Sequence, residues 1–87
     1  SFGVEDYSAA VENMLLAITA LGYASVWLDG DLRIAGRAEA IANLLGVPAP
    51  LQVRVLLPVG APEHEREQRK KRAFDERAFW NGYQTAP

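Results

Sequence analysis

The sequence predicts an α+β fold ordered helix, strand, helix, strand and extended C-terminal tail. Three observations carry that reading. Apolar residues recur at helical spacing from Tyr7 to Leu21, and a nearly unbroken β-branched run occupies residues 53–57. Between and after these segments stand the punctuating residues Gly22, Gly46, Pro48, Pro58 and Gly60.

In the first segment Tyr7, Val11, Met14, Leu15, Ile18 and Leu21 form one stripe, with Asp6 placed to cap a helix running to about Leu21. Ala9, Ala10, Leu16, Ala17 and Ala20 extend the apolar surface around most of the cylinder, leaving Glu12, Asn13 and Thr19 as its polar positions. Such a helix is expected to be mostly buried, and Gly22 to end it. Residues 24–28 (Ala-Ser-Val-Trp-Leu) read as a short strand, followed by the turn-like Asp29-Gly30-Asp31. A second, weaker helix spans residues 33–45 through Ile34, Ala38, Ile41, Leu44 and Leu45, with Gly36 inside it. Residues 51–57 read as the central strand, closed by Pro58 and Gly60.

The chain therefore divides into a body of residues 1–60 and an extension of residues 61–87. The body carries six acids against three arginines, while the extension carries five acids and six bases. Four of those bases are consecutive (Arg69, Lys70, Lys71, Arg72), and the aromatics Phe74, Phe79, Trp80 and Tyr83 follow. Aromatics on a polar tail are costly to expose, so the tail is expected to dock on another surface.

Several classes of function are excluded by composition. There is no cysteine, hence no disulfide framework or thiolate metal site, and the single His64 has no carboxylates at metal-ligand spacing. Serine and cysteine triads, Gly-x-Gly-x-x-Gly and Walker loops are all missing. No apolar run approaches the roughly 20 residues that span a bilayer, and no signal peptide is evident. A cytoplasmic location is the expectation. The carboxylate pairs Asp29/Asp31 and Asp75/Glu76 read as solvated or capping groups, and no catalytic side chain is assigned. The basic cluster is open to three readings: a solvated run, an anion site or a nucleic-acid footprint. The flanking Glu63, Glu65 and Glu67 and a net charge of −2 argue against the last.

A family resemblance sharpens the picture. The stretch from Asp6 through Ala10-x-x-Asn13-x-x-Leu16-Ala17 to Leu21-Gly22 and Trp27-Leu28-Asp29-Gly30 resembles the FMN-dependent nitroreductase family. Leu45-Gly46-Val47-Pro48, Leu57-Pro58-Val59-Gly60 and Lys70-Lys71-Arg72-Ala73-Phe74-Asp75-Glu76, then Phe79-Trp80 and Tyr83, follow in that family's order. The resemblance implies the second half of a three-layer nitroreductase-type fold, with the N-terminal half missing, including a basic Arg-Ser-x-Arg-type segment. It implies a homodimer with flavin mononucleotide (FMN) at the subunit interface, and hydride passing from NAD(P)H through flavin to a nitroaromatic, quinone or similar acceptor. Gly30 with Asp29 matches the turn whose backbone lies against the flavin ring, with Trp27 and Leu28 also placed among the flavin-binding residues and Trp27 lining the pocket. The aromatic tail of residues 61–87 resembles the extension that wraps the partner subunit. Lys70 and Arg72 match the basic residues that reach the flavin phosphate. Neither nucleic acid nor membrane is an expected partner. The alternative is a flavin-free dimerisation or binding module derived from the same fold.

Overall fold

The computed structural model describes residues 2–83. Helix α1 spans Gly3–Ala20 and α2 spans Arg37–Leu45. Strands β1 (Ala24–Ser25) and β2 (Val59–Gly60) form a two-stranded sheet. Two short 3₁₀ turns lie at Gly30–Arg33 and Phe74–Glu76.

Helix α1 begins earlier than expected. Phe2 occupies the N-cap, and Asp6 sits in the first turn beside Glu5 rather than capping it. There both carboxylates complement the positive end of the helix dipole. The C-terminus closes as the sequence predicts. Gly22 takes φ +87°, Tyr23 N–H donates to the Ile18 carbonyl at 3.0 Å, and Gly22 N–H to that of Thr19 at 3.0 Å. This six-to-one and five-to-two pairing needs a left-handed residue after the cap.

The second helix starts four residues later than expected. Ala35 (φ 53°) and Gly36 (φ 67°) are both left-handed, which interrupts helical geometry and leaves Arg33 in the preceding 3₁₀ turn. Gly46 (φ 70°) ends α2, with Val47 N–H donating to the Ala42 carbonyl at 2.8 Å.

The central strand differs most from expectation. β1 pairs antiparallel with β2 as Ala24 with Gly60 and Ser25 with Val59, and Leu28 bridges Leu56 in the same register. The partner of residues 24–28 is thus the stretch 56–60, not an independent central strand over 51–57. Pro58 falls opposite Val26 and lacks an N–H, which accounts for the gap in the ladder. Residues 51–55 have no ladder partner among the described residues. They still keep a two-residue alternation, with Val53, Val55 and Leu57 half-buried and Arg54 and Leu56 exposed.

Burial is sparse. Val11 (8% exposed) and Leu32 (6%) are the buried hydrophobic residues among those described, while Met14 and Leu16 on α1 are 53% and 61% exposed. The expectation of a mostly buried first helix is therefore not met, because among the described residues no second layer covers its outer face. The dimensions agree. The radius of gyration is 18.0 Å, against about 12 Å for a compact chain of this length. The accessible surface is 8044 Å², against about 5,000 Å² for a folded monomer of this mass. The excess is of the size that permanent interfaces bury. An α+β arrangement of two helices and a small sheet is present, compatible with part of a larger fold.

Candidate functional site

The segment joining β1 to α2 is anchored on both sides of its turn. After Ser25 the backbone leaves the sheet, returns at Leu28, and turns at Asp29. Leu28 exchanges two hydrogen bonds with Leu56 (2.9 and 3.1 Å), which fixes the entry to the turn. Leu32 N–H donates to the Asp29 carbonyl at 3.1 Å, and the Leu32 side chain is buried, which fixes the exit. Between these anchors Gly30 opens the 3₁₀ turn, and a Cβ built there would meet nothing within 4 Å. The turn therefore presents bare backbone on an open face, the arrangement a flat ligand needs for close approach.

Side chains reinforce the turn. Trp27 Nε1–H donates to Asp29 Oδ2 at 3.2 Å, and the Arg33 guanidinium donates to the same oxygen at 3.4 Å. Arg33 was not among the residues singled out from sequence, although its spacing of four from Asp29 is the helical ion-pair spacing and was a usable signal. Leu32, the anchor, was also passed over, lying outside both apolar stripes.

The second group of expected residues lies apart from the turn in its bonding. Lys70 and Arg72 are exposed on an extended stretch and enter no ion pair among the described residues. Fixed contacts begin at the Arg72 carbonyl, which accepts from Arg77 Nε–H at 3.0 Å, and at the Ala73 carbonyl, which accepts from Glu76 N–H at 3.0 Å. Arg77 in turn lies over the Phe74 ring, 6.0 Å from its centroid. Phe79 and Tyr83 pack together with ring centroids 4.4 Å apart, while Trp80 is 79% exposed. Gln84 to Pro87 lie outside the described residues. Residues 72–83 of the tail thus order themselves through local contacts.

Two clefts accompany these elements. One, about 260 Å³, lies between Tyr7, Leu32, Arg33 and residues 51–54. The other runs past Tyr23 and Ser25 to His64. Neither is lined by residues 27–30, Lys70 or Arg72; of these Leu28, Gly30, Lys70 and Arg72 are exposed, and Trp27 and Asp29 half-buried. Among the described residues no three His, Asp or Glu side chains gather to hold a metal, and no helix is long and apolar enough to cross a membrane.

Comparison with known proteins decides the family. The model of the Nitroreductase family matches residues 1–61, most of the chain. The chain belongs to the nitroreductase family. A similar protein, named putative NADH dehydrogenase/NAD(P)H nitroreductase, comes from Archaeoglobus fulgidus. It is 42% identical over 64 residues, which cover 74% of this chain and 36% of the relative. The chain therefore spans little more than a third of that relative's length. No solved structure matches this nitroreductase-family chain.

Proposed function

We propose that this chain is part of an FMN-dependent oxidoreductase of nitroreductase type, in which the Asp29-Gly30 turn meets the flavin ring. The observation that carries the reading is the open backbone at Gly30, held between the Leu28–Leu56 bridge and the buried Leu32. A turn anchored on both sides offers its N–H groups without first having to order itself. Trp27 and Leu28 belong to the same support, since they set where the turn begins.

The residues present fit their share of such a ligand. Gly30 leaves space for a planar ring, and Lys70 and Arg72 are exposed cations without acidic partners among the described residues, suited to a phosphate. The chemistry supplied by bound FMN is hydride relay from NAD(P)H to a nitroaromatic, quinone or similar acceptor. The tasks left to this chain are to orient, to bind the phosphate and to exclude water, none of which requires a nucleophile. That agrees with the absence of a catalytic side chain from the sequence reading.

The large exposed apolar surface supports the remainder of the proposal: a homodimer, with more polypeptide of the same domain covering α1. Residues 61–87 act as an extension laid on the partner subunit, beyond a body of residues 1–60. A cytoplasmic location belongs to the same proposal.

The test is a spectroscopic titration of the full protein with FMN. A visible flavin band that shifts and saturates on binding is the expected result. A protein that stays colourless and leaves added FMN unperturbed contradicts the reading and favours a flavin-free dimerisation module.

A further inference from the structure

We propose that Arg33 is a positioning residue that, together with Trp27, clamps the Asp29 carboxylate so that the turn offers the Gly30 backbone, not the Asp29 side chain, to its ligand. The inference deepens the flavin reading above and rests on it.

One carboxylate oxygen carries both contacts. Trp27 Nε1–H reaches Asp29 Oδ2 from two residues before it (3.2 Å), and the Arg33 guanidinium from four residues after (3.4 Å). The clamp therefore closes around Gly30 and Asp31 and ties the strand end to the far end of the 3₁₀ turn. Its frame is fixed in the backbone by the Leu32 N–H to Asp29 carbonyl bond and in the core by the Leu32 side chain.

The neighbouring charges sort themselves so that this pairing is kept. Asp31 faces Arg37 at 3.9 Å, which leaves Arg33 to Asp29. The Asp29 side chain is 32% exposed against 67% for Arg33, so the carboxylate is the more enclosed member of the pair. A carboxylate already accepting from an indole and a guanidinium has a compensated charge and little freedom to rotate toward a ligand. Left unpaired beside Gly30, it would place an uncompensated negative charge next to the ring and loosen the turn.

The test combines a ligand-free signal with a binding measurement. The ¹H–¹⁵N indole resonances of Trp27 and Trp80 are recorded, and FMN affinity is measured, for the unsubstituted full protein and four variants. Asp29→Ala is expected to move the Trp27 indole signal, leave that of Trp80 in place, and weaken FMN about tenfold. Arg33→Gln should move the Trp27 signal less and weaken FMN about two- to fivefold, as befits an exposed pair. Arg33→Lys should restore most of the affinity at an unchanged melting temperature. In the double variant, Arg33→Gln should add nothing to Asp29→Ala. A Trp27 resonance indifferent to Asp29→Ala overturns the clamp, as does unchanged FMN affinity in Arg33→Gln when the unsubstituted protein binds FMN. If the unsubstituted protein takes up no FMN, the flavin reading itself fails, whatever the indole signals show.

Discussion

The turn at residues 27–33 and the basic stretch at residues 69–72, the two parts proposed to meet FMN, are built on opposite principles. The turn is held by a strand bridge, a buried leucine and a shared carboxylate oxygen, so its donors are in place beforehand. The basic stretch has charge without structure, since its side chains are exposed and unpaired among the described residues. A preorganised donor loses little entropy on binding, whereas long cationic side chains must be ordered at the moment of contact. In the proposed site shape recognition would fall to the turn and charge recognition to the tail, and the two can be separated by experiment.

The sharpest separation comes from Gly30→Val. Among the described residues, nothing beyond its own chain neighbours lies within 4 Å of the added Cβ, and Gly30 is not left-handed, so folding should be unaffected. A ring seated on that backbone would meet the new side chain, at an overpacking cost of about 1–3 kcal/mol, or about five- to 150-fold in affinity. Equilibrium titration with FMN beside a thermal melt measures both. Equal loss of stability and binding would make the turn a folding element only.

Leu32→Ala tests whether the turn is prebuilt. Removing one of the two buried apolar side chains should cost about 2 kcal/mol of stability, at the low end of the usual range because the surroundings are loosely packed. Denaturant unfolding reads that loss, and FMN affinity should fall in parallel.

The tail should behave differently. Replacing Lys70 and Arg72 together with Ala is expected to weaken FMN about tenfold and riboflavin hardly at all, because riboflavin lacks the phosphate. Parallel weakening of both ligands would remove the phosphate role from these residues. The smallest effect is that of salt. Raising ionic strength from about 0.1 to about 1 M shortens the screening length from about 10 to about 3 Å, and should cost FMN only a few-fold. Riboflavin titrated in the same buffers should show no such dependence.

How much of this was legible in the sequence follows from which interactions are local. Helix α1 and its closure at Gly22 were readable because helix periodicity and a left-handed glycine act within a few residues. The late start of α2 was half readable. Gly36 signalled a break, but the left-handed Ala35 beside it carries no side-chain signal of its own. The stretch 51–57 misled because a β-branched run states a preference for extended backbone, not the presence of a neighbour to pair with. The register that does form is set by Leu28 and Leu56 and interrupted at Pro58, and neither partner is visible from the other end of the chain. The candidate site divides in the same way. The Asp29-Gly30 turn was visible as a motif, while the roles of Arg33 and Leu32 appear only once the turn has folded and brought them back onto Asp29.

The central claim is that an anchored turn and a basic tail together hold FMN within a dimer. Native mass spectrometry of the purified full protein tests it most directly, since it reads ligand and stoichiometry at once. A dimer carrying one FMN per subunit, with flavin lost from the Gly30→Val variant, is the expected result. A flavin-free species that gains no mass on addition of FMN would contradict it.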